Sequence, residues 1–293
     1  MSTYRRPSDK GEGPEDSTTW QPYDWESKQE VSRLLERERI LSEALGGPLP
    51  PGLGLPAEAQ LLHIACGPGT WLSQVAQHHP SFRLTGIDKS GYYVQCACHY
   101  LAGLDTVTLQ LNDIAGECEF LPTETFDLVY LRFLAAELAL DVLPDAVAEL
   151  VGSCKHGAHL YWIEGEFPLT NSGACGQLVS YIQQGLHRQH GGSALSSATP
   201  GMRAYMVYVL HKIGCRVVQD QQHVLDISAG MPAHHAFVQQ ARVLTQQLRS
   251  LVIQAGVVSC QEYDAIAAQA LEQMRGAQFC GALFMHSILA VAP

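Results

Sequence analysis

The residues best placed to do chemistry are a glycine turn and the acidic or amide residues that follow it at strand-length intervals. Leu61-Leu62-His63-Ile64-Ala65 is an apolar run that ends in Cys66-Gly67-Pro68-Gly69-Thr70-Trp71. A strand that breaks at Gly-Pro-Gly lets the backbone approach a ligand, because glycine has no Cβ to block it. A helix starting there would aim its free N–H groups into the same space. Asp88, in Thr85-Gly86-Ile87-Asp88-Lys89, falls 21 residues after Gly67. That is close to the offset of a carboxylate that accepts from both hydroxyls of a ribose. Asn112-Asp113-Ile114 closes the next apolar run, so Asp113 could accept from an exocyclic adenine amine while Ile114 packs on the ring. Leu131-Arg132 ends the run after that.

These positions need a scaffold that carries them to one edge. Strands are expected at 61–65, 82–87, 106–111, 126–131 and 158–164, with helices at 69–78, 90–103 and 139–152 between them. Strands alternating with helices predict a parallel sheet covered on both faces, with ligands at the carboxyl ends. Beyond residue 165 the alternation loosens. Helices are expected at 177–190, 202–213 and over most of 233–276 with a break near 256–259. Strands are expected near 215–225 and 282–293. The segments at about 168–200 and 230–276 are read as helical insertions that cap one end of the sheet. Residues 1–20 are polar and read as a disordered tail. Residues 21–56 read as an N-terminal lid helix and linker, and 57–293 as the main domain.

The bulk numbers exclude several classes. Eighteen basic residues against 29 acidic give a formal charge of −11, which opposes a phosphate-binding surface, so no nucleic-acid partner is expected. Arg33, Arg37 and Arg39 are interleaved with Glu36 and Glu38 and read as a solvated helix face. Nine cysteines without a framework suit a reducing cytoplasm. The N-terminus lacks the apolar core of a signal peptide, and no apolar run is long enough to span a membrane. Cys96-Ala97-Cys98-His99 lacks metal-ligand spacing on a helix, so these cysteines read as buried helix residues and no metal is expected. His78-His79 reads as a solvated helix end, and Met202 and Met206 as core.

A ligand lacking pyrophosphate fits better than a dinucleotide, because Leu72 stands where a third glycine of G-x-G-x-x-G would fall. No lysine-bearing phosphate loop is present either. With glycine turn, Asp88 and Asp113 in this order, the chain resembles a class I S-adenosylmethionine-dependent methyltransferase over about residues 58–165, and more loosely over 200–225 and 280–293. The resemblance implies a doubly wound, mostly parallel seven-stranded α/β sheet, the Rossmann-like methyltransferase fold, with an antiparallel last strand and a helical cap. It implies S-adenosyl-L-methionine as cofactor. Cys66, Gly67, Pro68 and Gly69 would hold its methionine part, Asp88 the ribose, Asp113 and Ile114 the adenine, and Leu131 with Arg132 would line the methionine end; the neighbouring Lys89 and Asn112 are also expected to bind the cofactor. The family has an acidic residue where His63 stands and glycine where Ala65 stands. Only a neutral His63 could accept from the cofactor ammonium, and binding is expected to survive because most contacts are to backbone.

The expected reaction is methyl transfer to a small, partly apolar molecule by a monomer or homodimer. Methylation of RNA or protein, and a non-catalytic cofactor-binding role, are the alternatives. Candidate bases are His234 and His235 after the loop at 229–233, and Glu164 or Glu166 after the fifth strand. Tyr23 and Trp25 either close over the cofactor or staple the first helix to the sheet.

Overall fold

The computed structural model describes residues 26–114, 121–136, 138, 142–189 and 201–293. The tail at 1–20 and the candidate lid residues Tyr23 and Trp25 lie outside them.

The first helix, α1 (Lys28–Leu45), starts at a reciprocal cap signal. Ser27 accepts a 3.1 Å hydrogen bond from the Glu30 N–H, and Gly46 ends the helix in the left-handed region at φ 79°. A Gly/Pro linker leads to β1 (Gln60–Ile64), α2 (Thr70–His78), β2 (Arg83–Asp88), α3 (Gly91–Tyr100) and β3 (Val107–Leu111). Then come β4 (Phe126–Arg132), a 3-10 turn at Leu134–Ala136, α4 (Leu143–Gly152) and β5 (Cys154–Gly165). The rest is β6 (Leu169–Thr170), α5 (Gly173–Gln189), α6 (Met202–Lys212), β7 (Arg216–Asp226), α7 (His234–Gln254), α8 (Cys260–Arg275) and β8 (Gly281–Val291).

The strands form one eight-stranded sheet of order β3-β2-β1-β4-β5-β8, with β7 along the far side of β8. β3, β2, β1, β4 and β5 are mutually parallel, and β8 runs antiparallel to both β5 and β7. The two-residue β6 continues the β5 side of β8 at Ala282 and Gly281. It is one strand more than expected, too short to carry a hydrophobic pattern. β5 begins at Cys154 rather than 158. The register slips between Phe126 and Leu128 of β4, and Gly157 at φ 73° absorbs the extra residues.

Strand order reverses between β1, which continues to β2, and β4 on its other side. In open α/β sheets ligands bind outside the carboxyl ends of the strands at such a reversal. Two apolar layers hold the sheet rigid beneath it. Leu62, Ile64, Val129 and Trp162 pack with α4 and α6 on one face. Leu61, Tyr130 and Tyr161 pack with Trp71 and Leu72 of α2 on the other. Met206 is fully buried in the first layer and Met202 packs against it, as core residues should. A third cluster joins α5, α7 and α8 through Leu178, Val238, Val252 and Tyr263, with Ile40 of α1 among them. The α7–α8 break has a cause in sequence: Gly256 turns at φ 66°, and Ser259 caps α8 by accepting from the Glu262 N–H at 3.2 Å. Cys98 is a correction. It is exposed on the outer face of α3, one residue from the buried Ala97, because neighbours on a helix point apart.

Candidate active site

The turn after β1 is held by its own backbone and by Asp88. Cys66 donates its N–H to Ile87 O at 2.9 Å, and Gly69 donates to Cys66 O at 3.1 Å. The Asp88 carboxylate accepts from the Gly67 N–H at 2.7 Å and from the Ser90 N–H at 2.9 Å. One side chain thus joins the tips of β1 and β2. Asp88 is 7% exposed.

Two glycines act differently. Gly69, at φ 81°, lies against α3: a Cβ there would come 2.7 Å from Leu101 Cδ1. Gly67, at φ 55°, faces open space with nothing within 4 Å of a Cβ. Gly69 also caps α2, and a glycine N-cap makes no side-chain cap bond to the first N–H groups of that helix. Cys66 is a buried thiol, pushed up by burial and then by the Asp88 charge, and is inert. Pro68 is buried in the same turn. Ala65 sits at φ 53°, a conformation suited to the glycine that the resemblance expected there.

His63 lies beneath this turn, 1% exposed, between Trp71 at 4.9 Å and Tyr130 at 4.8 Å between ring centroids. Neither ring nitrogen has a hydrogen-bond partner among the described residues. Burial, and then the charge of Arg132, hold its pKa well below the usual histidine value, so the ring is neutral.

On the adenine side, Asn112 donates its N–H to Asp88 O at 3.0 Å, which ties β3's end to β2's. Asp113 and Lys89 are exposed, and Ile114 is nearly buried against the core layer that holds Ile64 and Ile87. Leu131, expected at the methionine end, is 0% exposed and packs into the core layer on the α4 side, because strand alternation points it away from Arg132.

Arg132, at the end of β4, is met by α1. Arg132 Nη1 donates to Glu38 Oε2. Arg33 pairs with Glu30 on α1 through a 2.6 Å bond from Nε, and its Nη1 donates to Gln240 of α7. Arg37 sits over the ring of Phe133, 5.3 Å from its centroid. Glu30 and Glu38 are both buried. The solvated-face reading of this helix is therefore overturned for its site-facing stripe. Glu30, Arg33 and Arg37 stand at i, i+3 and i+7, in line with the buried Ile40 and Leu41, and that spacing was the available signal. Only Glu36, Arg39 and Glu43 form the expected solvent-side ladder. Glu26 of the same segment accepts from the Ser90 hydroxyl at 2.9 Å, so the start of α1 lies beside the tip of β2.

The candidate bases separate clearly. Glu164 is 3% exposed at the end of β5, and its Oε1 accepts from Trp162 Nε1 at 2.9 Å and the Ala135 N–H at 3.0 Å. Burial pushes its pKa up to about 7, against the pull of those hydrogen bonds. Glu166 is committed elsewhere: its Oε1 accepts from the Met202 N–H at the start of α6 and lies 3.3 Å from His286 Nε2. His234 contacts the base of the cap, with Nδ1 2.9 Å from Ile227 O and its ring on Phe279. His235 is exposed and near Glu36 of α1.

The sheet order, the antiparallel last strand and a glycine turn tied to an acidic β2 tip define the class I methyltransferase fold. Residues 61–157 match the family model described as a methyltransferase domain. Over those residues, about a third of the chain, the sequence is similar to a methyltransferase domain. A Bacillus halodurans protein with a provisional methyltransferase assignment superposes with TM-score 0.52 at 13% identity, covering 87% of this chain and 98% of that one. The YcgJ protein of Bacillus subtilis gives TM-score 0.50 at 15% identity, covering 88% and 97%. A chain from the complex of the Haloferax volcanii Trm112 methyltransferase activator with a provisionally assigned methyltransferase gives 0.53 at 13%, covering 92% and 96%. At these identities the likeness is one of fold. No curated protein matches the sequence. Among the described residues no cluster could hold a metal ion, and no helix is long and apolar enough to cross a membrane.

Proposed function

We propose that this chain transfers a methyl group from S-adenosylmethionine to a small, partly apolar molecule seated between α1, the ends of β4 and β5, and the helices α5, α7 and α8. The observation that carries the reading is the 2.7 Å bond from Gly67 N–H to Asp88, which brings the turn after β1 and the tip of β2 to one crevice.

The residues present fit the cofactor. The N–H groups at the start of α2 follow a glycine N-cap, which makes no side-chain cap bond to them, and suit a carboxylate. Gly67 leaves open space where a side chain would stand. A carboxylate at the tip of β2, as Asp88 is, is the group type that accepts from a diol. The neutral His63 retains two unpartnered ring nitrogens beside the turn and can accept from an ammonium. When bound, the cofactor supplies a methyl group already activated on a sulfonium. The protein then has to align the acceptor with the S–CH₃ axis and exclude water, so positioning supplies most of the rate. A hydroxyl acceptor also loses a proton, and Glu164, poised near 7, is the group best tuned to take it at a carboxylate oxygen. A neutral amine loses its proton after transfer and needs no such base.

The test is incubation of the full chain with methyl-labelled S-adenosylmethionine and fractions of a metabolite extract. Label moving into a low-molecular-weight product supports the reading. Cofactor binding without transfer to any small molecule refutes it in favour of a macromolecular acceptor or a non-catalytic role.

A further inference from the structure

Where α1 meets the end of β4, positive charges outnumber negative ones. Three guanidinium groups, on Arg33, Arg37 and Arg132, meet there with two carboxylates, on Glu30 and Glu38. Glu30 pairs with Arg33 and Glu38 pairs with Arg132. Arg37 is partly buried between these pairs. Its Nε is sealed from water and has no hydrogen-bond partner among the described residues, and its one specific contact there is the face of Phe133. Burial, and then the charges of Arg132 and Arg33, push its pKa down to about 9. Leaving a charged donor in that state costs stability, and proteins accept such a cost chiefly where a ligand removes it.

We propose that Arg37 holds the oxyanion of the methyl acceptor, so that the substrate class is a small molecule bearing a phosphate or carboxylate group. This rests on the methyltransferase reading above. Position favours the acceptor over the cofactor as the source of the anion. Phe133, on which Arg37 stacks, lies against Gly165 at the end of β5: a Cβ there would be 3.5 Å from its ring. The cofactor-binding groups, Gly67 and Asp88, lie on the opposite side of β4, toward β1 and β2. Guanidinium is suited to the task because its planar fork offers two parallel donors to one oxyanion.

The experiment uses the full chain, with inorganic phosphate as the probe and sodium chloride at matched ionic strength as reference. Phosphate affinity is read from thermal shifts with S-adenosylhomocysteine present, and affinity for S-adenosylhomocysteine is measured separately by calorimetry. The expected result is saturable phosphate binding by the wild type, at least tenfold weaker binding by Arg37→Gln, an intermediate value for Arg37→Lys, and no change for Arg39→Gln on the solvent side of α1. Affinity for S-adenosylhomocysteine should stay within about twofold in Arg37→Gln. If that affinity instead falls tenfold while affinity for 5′-methylthioadenosine does not, the anion is the cofactor's own carboxylate and the acceptor assignment is overturned. It is equally overturned if wild type binds S-adenosylhomocysteine but shows no saturable phosphate effect. A wild type that binds no S-adenosylhomocysteine removes the methyltransferase reading itself, a different failure, and the acceptor assignment with it.

Discussion

Replacing Glu164 by Gln removes one ionisable proton from the end of β5. Two of its donors, Trp162 Nε1 and the Ala135 N–H, go to Oε1, which the amide retains, and the Leu134 N–H is a third. In the folded chain burial raises this carboxyl from 4.5 to about 7. The sign follows from linkage. Between those two values the unfolded chain has lost the proton and the native chain keeps it, so rising pH favours the unfolded state. The penalty is absent below the lower value and complete above the higher one. A shift of this size is worth about 3 kcal/mol at full development. By the same linkage it is below about 1 kcal/mol at pH 5 and about 3 kcal/mol at pH 8. Urea unfolding followed by circular dichroism at pH 5, 6, 7 and 8, on wild type and Glu164→Gln, isolates it, because every other titrating group is common to both chains. The variant should gain on the wild type by about 2 kcal/mol between pH 5 and pH 8. Parallel stability curves would refute the reasoning, since they would mean that Glu164 ionises as freely in the fold as outside it. If Glu164 also takes the acceptor's proton, the wild-type rate rises through about pH 7 and the variant's profile is flat.

Two further substitutions probe the turn after β1. Gly67→Ala places a Cβ in open space at φ 55°, so unfolding stability should fall by about 1 kcal/mol while affinity for S-adenosylhomocysteine falls more than tenfold; thermal melts and calorimetry on one sample separate the two effects. Ala65→Gly relieves a left-handed residue at φ 53° and should raise stability by up to about 1 kcal/mol in urea unfolding, with cofactor affinity unchanged.

What sequence could and could not reveal divides along the range of the interactions. β1 to β4 and the glycine turn are legible because apolar runs, turn residues and the spacing from Gly67 to Asp88 are local patterns. The α7–α8 break was legible for the same reason, through Gly256 and Ser259. β5 was placed late because its register slip depends on how it pairs with β4, which no single strand encodes. The different surroundings of Leu131 and Arg132 follow from strand alternation, which sends them to opposite faces. The largest miss was α1. Alternating Arg and Glu look solvated on a helix taken alone, and burial of Glu38 depends on Arg132, 94 residues further along the chain. Such a stripe becomes readable only when charged residues at i, i+3 and i+7 run in line with apolar ones.

The account stands or falls on whether the turn at 66–69 and Asp88 bind one adenosyl ligand. Calorimetric titration of S-adenosylhomocysteine into the wild type and Asp88→Asn tests this directly. The structure leads us to expect one site per chain in the wild type and at least tenfold weaker binding in Asp88→Asn, which blunts the acceptor for the ribose and for the Gly67 N–H together. No heat of binding in a folded wild type, or equal affinity in the two proteins, would contradict it.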